Sequence, residues 1–254
     1  MIDRNAYKFL KELNTKHSFG DVLTLGRQEL NDIPDYVDDK YADDLFLKSF
    51  KAKSINSLDV SSFENATIIH DLNKSISQKL HENFDLVYDG GTLEHVFNFP
   101  FAVKNAMSMV RVGGYLVIHT ITNNYCGHGF YQFSPELFYS IFIKENGFLI
   151  ERMIIHSVGP YSKWYAVLNP IEIKERVELI TSVPMMLLIS AKRINLSPIF
   201  YSFPFQNDFK PRWNIDESIK EEVEKPSLFK SIKTGWNLFR NNSIRNRKFF
   251  KVIS

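Results

Sequence analysis

The sequence predicts an α/β fold: a doubly wound, mostly parallel sheet of seven strands, with a helical N-terminus and a basic C-terminal extension. Three observations predict it. Short apolar runs recur along the chain, and several of them end on Gly or Asp. Stretches with helical spacing of apolar residues lie between them. Helix starts and stops are marked by Ser-Pro, Asn-Gly and Gly-Gly. Strands alternating with helices give a sheet covered on both faces, because a parallel crossover needs a connection of helix length.

Each element follows from its local pattern. Residues 1–15 put Ala6, Phe9, Leu10 and Leu13 on one helical face. Residues 21–26 form a short apolar run closed by Gly26, the pattern of a buried strand and a tight turn. Residues 32–50 are acid-rich with helical spacing and read as a peripheral insert or lid. Residues 54–59, 66–71 and 84–89 are the second, third and fourth strands, the last opening on Gly90 and Gly91. A helix over 98–110 carries Val103, Ala106, Met107 and Val110 as its apolar stripe. Gly113 and Gly114 are expected to stop it before a fifth strand over 115–120. Ser134-Pro135-Glu136 has a capping serine, a first-turn proline and an acid at the positive end of a helix. That helix is expected to reach Glu145 and stop at Asn146-Gly147. Strands over 148–156 and 185–192 complete the seven, with a longer helical stretch between them. The expected organisation is one unit over 1–195 and an aromatic, basic extension over 196–254.

Composition narrows the function classes. A 44% hydrophobic content is enough to build a core, and 22 Phe with 11 Tyr argue against a disordered chain. The single cysteine, Cys126, excludes an internal disulfide and a cysteine zinc site. The charged first residues lack an apolar core, so no signal peptide is expected. No apolar run approaches the roughly 20 residues of a membrane span. The expected location is the cytoplasm. Net charge is +2, yet from Lys225 onward there are eight Lys or Arg and no Asp or Glu. Such a tail can meet an acidic partner or make weak contact with a membrane surface. The plainer expectation is a solvated helix packed through Trp236, Phe239, Phe249 and Phe250. No DNA- or RNA-binding motif accompanies the tail, so nucleic acid is not expected as a partner.

Ligands in such sheets bind outside the carboxyl ends of the strands, near the reversal in strand order. Two segments there are distinctive. Phe84-Asp-Leu-Val-Tyr-Asp-Gly-Gly-Thr-Leu-Glu-His-Val96 is one, and Val110-Arg-Val-Gly-Gly-Tyr-Leu-Val-Ile-His119 is the other. Together they resemble the fourth strand with its LEHV turn, and the helix–GG–strand passage after it, of class I S-adenosylmethionine (SAM)-dependent methyltransferases. The resemblance covers roughly residues 20–192. It implies a Rossmann-like methyltransferase fold and SAM as cofactor.

By the same resemblance Asp59 would hold the ribose diol. Asp71 would accept from the adenine amine, with Leu72 packed on the ring or in the core. Gly26 stands where the family has a glycine-rich loop, which lets the backbone approach the methionine part of SAM. Only one glycine is present in Thr24-Leu-Gly-Arg-Gln-Glu29, a departure from the pattern, and Arg27 either pairs with the methionine carboxylate or lies at the surface. Gly90, Gly91 and Thr92 would pass near the sulfonium. Glu94 reads as a helix-start acid and His95 as structural.

The acceptor is expected beyond the fourth and fifth strands, where residues 122–136 are dense in polar and aromatic groups. Their Gly-His-Gly-Phe-Tyr-Gln-Phe-Ser-Pro-Glu run resembles one in a subset of bacterial methyltransferases. Methyl transfer to oxygen needs a base, and a neutral imidazole suits pH 7. His128 is the first candidate and His119 the second. Tyr131 and Gln132 could orient the substrate, with Asn123 and Tyr125 beside them. His119, Cys126 and His128 match no zinc spacing, so no metal is expected. His70 adjoins Asp71 and would point to the opposite face if its strand continued.

The activity implied is methylation of an oxygen on a small molecule or saccharide, such as a nucleotide sugar or surface-polysaccharide precursor. A non-catalytic protein of the same fold, acting as a binding partner of an active enzyme, is the alternative. A dinucleotide-dependent oxidoreductase is disfavoured, since no G-x-G-x-x-G follows the first strand.

Overall fold

The sheet has nine strands where seven were expected. The computed structural model describes residues 1–34, 36, 40–201, 203–204, 206 and 242–253. The strands are β1 (Asp21–Leu25), β2 (Ser54–Asp59), β3 (Ile68–Ile69), β4 (Phe84–Asp89), β5 (Val110–Ile121), β6 (Phe148–Ser157), β7 (Trp164–Val167), β8 (Met185–Arg193) and β9 (Phe250–Val252). Their order is β3-β2-β1-β4-β5-β8-β6-β7-β9. β3 to β5 pair in parallel, β8 lies antiparallel between β5 and β6, and β7 and β9 extend the edge antiparallel.

Alternation along the strands decides which face each side chain covers. Val22, Leu86, Tyr88, Tyr115, Val117, Ile154 and Leu188 face one side, with helix α1 (Arg4–Asn14) packed on them through Ala6, Phe9, Leu10 and Leu13. Leu23, Leu25, Val87, Leu116, Ile118 and Ile155 face the other, under α2 (Phe99–Met109) and α3 (Pro135–Ile141). Asp3 caps α1 by accepting from the Ala6 N–H, and Ser134 caps α3 by accepting from Leu137 N–H.

Four expectations change. α2 ends at Met109 rather than at the glycine pair, and β5 starts at Val110, so Gly113 and Gly114 lie inside a strand. The stop comes from a residue far away in sequence: the buried Arg193 guanidinium donates to the carbonyls of Met107 at 3.5 Å, Ser108 at 3.3 Å and Val110 at 2.5 Å, at the carbonyl-rich end of the helix. α3 stops at Ile141, and a separate short turn, Lys144–Asn146, precedes β6. The stretch between β6 and β8 holds β7 and a single-turn helix, α4 (Pro170–Ile173), in place of a long helix. Finally, the end of the basic tail is a strand. β9 pairs with β7, and Phe249 and Phe250 are buried in the core. Trp236 and Phe239 lie outside the described residues.

The acid-rich insert contributes one wide helical turn, Leu45–Ser49, whose Phe46 packs against Phe19, Phe50 and Tyr88. Among the described residues no helix is long and apolar enough to cross a membrane.

Candidate functional site

The chain leaves β1 in one direction along the sheet, toward β2 and β3, and resumes at β4 in the other. A crevice therefore opens between the carboxyl ends of β1 and β4, the place where ligands bind in open α/β sheets. Its two walls are tied together. Thr92 Oγ1 donates to the Leu25 carbonyl at 2.7 Å. Gly26 follows at a φ of +70°, and its N–H donates to the Leu58 carbonyl at 2.7 Å. A Cβ at Gly26 would come within 2.9 Å of Thr92 Oγ1, so only glycine fits both the turn and the space.

Asp89 closes the base of the crevice. Its Oδ1 accepts from the N–H groups of Thr92 at 2.9 Å and Leu93 at 3.3 Å. Burial, with the nearby Glu94 charge, pushes its carboxyl well above the usual carboxylate range. Its Oδ2 is buried without a partner among the described residues.

Beside the crevice lies a cavity of about 300 Å³ at the ends of β2, β3 and β4. Asp59, Asp71, Leu72, Gly91, Thr92 and His95 are among its walls. Asp59 Oδ1 accepts from the Ser61 N–H at 3.0 Å. Asp71 Oδ1 accepts from the backbone N–H and the side-chain amide of Asn73, at 3.0 and 2.9 Å. Those hydrogen bonds, with Lys74 nearby, hold the Asp71 carboxyl below its ordinary range, so it stays an acceptor at neutral pH. Leu72 is buried and belongs both to the core and to the cavity wall. His70 also lines the cavity, because β3 ends at Ile69 and alternation no longer turns it away.

Beyond His95 the fold assembles a group not visible in sequence spacing. Ligating atoms of Glu94, His95 and His128 lie within 4.8 Å of one another. Glu94 is 1% exposed; its Oε2 accepts from Thr120 Oγ1 at 3.1 Å, and its Oε1 is 4.0 Å from His128 Nε2. The His95 and His128 rings meet edge to face at 4.9 Å. The loop carrying His128 is pinned to the same residue, since the Glu94 carbonyl accepts from the N–H groups of Phe130 at 2.8 Å and Tyr131 at 3.3 Å. Gly129, at a φ of +72°, allows this approach: a Cβ there would be 2.9 Å from that carbonyl. Glu94 stands in the first turn of a short helix, Leu93–His95, as its reading as a helix-start acid expects, and it is also the buried member of this group.

The other expected residues are placed as follows. Arg27 lies outside the cavity lining. Its Nε approaches Asp43 at 3.4 Å, its Nη1 donates to the Glu64 carbonyl at 3.0 Å, and its guanidinium sits 4.1 Å over the Tyr41 ring. His119 is buried on the α1 face of the sheet, stacked on His156, with its Nε2 lacking a partner among the described residues. Burial pushes it down to about 3. That position does not fit the catalytic part expected of it. The Tyr131 hydroxyl donates to the Phe97 carbonyl at 2.6 Å, and its ring stacks with Phe133. Gln132 Oε1 accepts from the Tyr125 N–H at 2.8 Å, closing the loop on itself. The Tyr125 ring lies 5.8 Å from that of His128. Asn123 donates to Thr181 Oγ1 at 3.0 Å. Asn123 and Gln132 also line a second cavity, of about 210 Å³. Gln28, which the sequence did not mark, folds its amide into the crevice and donates to the Leu25 carbonyl at 2.5 Å.

No protein-family model and no curated protein matches the chain. Among solved structures, the N-methyltransferase NodS of Bradyrhizobium japonicum is 15% identical, with a TM-score of 0.44, over 76% of this chain and 96% of that one. The 1,6-didemethyltoxoflavin-N1-methyltransferase of Burkholderia thailandensis, solved with 1,6-didemethyltoxoflavin and S-adenosylhomocysteine, is 11% identical, with a TM-score of 0.45, over 76% of this chain and 78% of that one. At this distance the chemistry of the chain rests on its own residues.

Proposed function

We propose that this protein is a SAM-dependent methyltransferase acting on an oxygen of a small molecule, with a saccharide as the acceptor class. One observation carries the reading. Two carboxylates, Asp59 and Asp71, line a single cavity beside the crevice at the reversal of strand order. Adenosine needs that pairing: an acceptor for a ribose diol and another for an adenine amine, beside an apolar wall such as Leu72.

A glycine at the end of β1 supports the same reading for the methionine end of the cofactor. Gly26 keeps the crevice free of a Cβ next to Thr92. When bound, SAM supplies a methyl group already activated by the sulfonium. The protein's own task is then to orient an acceptor hydroxyl and to manage its proton. His128, exposed and backed by the Glu94 carboxylate, is the residue we assign to that proton. The exposed rings of Phe97 and Phe130, edge to face at 5.9 Å, offer an apolar surface to a sugar ring beside it.

A second reading, a non-catalytic protein that serves as a binding partner, draws on Gln28. Its amide fills the crevice so closely that a Cβ on Gly90 would lie 2.2 Å from Gln28 Oε1, and the Met1 amino group donates to the same Oε1 and to the Gly90 carbonyl. Calorimetric titration with SAM and S-adenosylhomocysteine separates the two. Micromolar binding of both supports the enzyme. No heat at millimolar ligand favours the binding partner.

A further inference from the structure

We propose that Glu94, His95 and His128 form a binding site for a divalent transition-metal ion, open toward the cavity that His95 lines. This goes beyond the cofactor reading and does not depend on it.

Two imidazoles and one carboxylate are a common ligand set for zinc and for related first-row ions in sites that keep a position open. Magnesium and calcium prefer all-oxygen sets, so they are the poorer fit. The ligating atoms already lie within 4.8 Å of one another. An ion bonded at ~2.1 Å spaces its ligands at roughly 3.3 Å, so the widest gap must close by about 1.5 Å. The exposed members supply that movement: His95 and His128 are both at the surface, whereas Glu94 is 1% exposed and held.

The surroundings are those of a built site. Thr120 Oγ1 fixes Glu94 Oε2 and leaves Oε1 on the His128 side, the kind of outer hydrogen bond that orients a metal ligand. Gly129 and the two N–H groups on the Glu94 carbonyl bring the His128 loop to this residue. The charge balance points the same way. Glu94 is buried, and a cation beside its carboxylate would offset negative charge that water does not reach.

The test uses the full chain, stripped with chelator and dialysed, and titrated with cobalt(II) in the absence of SAM. Visible d–d absorption saturating at one ion per chain, displaced by zinc, is expected. His95→Ala and His128→Ala should each weaken binding by about tenfold or more. His81→Ala, at an exposed histidine elsewhere, should leave it unchanged. Circular dichroism confirms that each variant is folded. Absence of cobalt binding by the folded wild-type chain overturns the site, as does binding that survives in the His95→Ala/His128→Ala double variant. Neither result bears on SAM affinity, so this proposal and the methyltransferase reading fail separately.

Discussion

Thr92 Oγ1 donates a hydrogen bond to the carbonyl of Leu25 at 2.7 Å, joining the loop after β4 to the last residue of β1. These two strands are parallel neighbours whose connections run off in opposite directions. The bond therefore sets the width of the crevice at the reversal of strand order. It also consumes the space over Gly26, which is why that position carries no side chain.

Gly26→Ala tests this arrangement. The new methyl meets Thr92 Oγ1 at 2.9 Å, and the residue must hold a φ of +70°. The left-handed conformation alone costs a non-glycine residue about 1–2 kcal/mol. Denaturant melts should show a loss of at least that size. SAM affinity should fall with it. A variant as stable as the parent and equally tight for SAM removes Gly26 from the cofactor site.

Asp59→Ala and Asp71→Ala should each weaken SAM binding roughly tenfold to a hundredfold, the range for a lost hydrogen bond to a charged acceptor. Asp71 also holds Asn73 through two hydrogen bonds, so Asp71→Asn is the fairer comparison: it keeps an acceptor for the turn but not the charge. Calorimetry on the three variants decides. Unchanged affinity in all of them would sink the adenosine assignment.

The elements that the sequence marks clearly are those whose signal is local. β2 and β4 begin and end where the strands expected over 54–59 and 84–89 do. α1 buries the four residues that its spacing places on one face. Misread elements depend on distant partners. Arg193 ends α2 from 84 positions beyond Met109, β7 is four residues long, and β9 is a strand because β7 offers it an edge. The site divides in the same way. Asp59 ends a strand and Gly26, Asp71 and Thr92 follow strands, so topology alone leads to them. The approach of Glu94 to His128 depends on a loop folding back onto a backbone carbonyl, and no spacing rule encodes that. His119 sits at a strand end, as catalytic residues do, but alternation turns it to the α1 face.

His128→Ala should lower turnover by about a hundredfold or more while leaving SAM affinity intact. The side chain is exposed and, among the described residues, its one ion pair is the 4.0 Å approach to Glu94, so stability should hardly change. Single-turnover rates with a saccharide acceptor, measured beside SAM titrations, separate chemistry from binding. Near-normal turnover in this variant would exclude His128 from proton transfer.

The last prediction concerns acid. His119 and His156 are buried against each other, each with an Nε2 that lacks a partner among the described residues. Burial pushes His119 down to about 3 and lowers His156 as well. In the unfolded chain both titrate near the ordinary histidine value of about 6.5. Below that pH the unfolded state takes up protons that the folded state refuses, so stability is complete above about pH 6.5 and is lost as pH falls. Each histidine contributes a slope of up to about 1.4 kcal/mol per pH unit. Urea melts between pH 7.5 and pH 5 should show this decline, and His119→Phe, which keeps a ring and removes the proton site, should shed one histidine's share of it. A slope that His119→Phe leaves untouched would mean that His119 takes up its proton in the folded protein, and that the pocket beneath α1 admits charge.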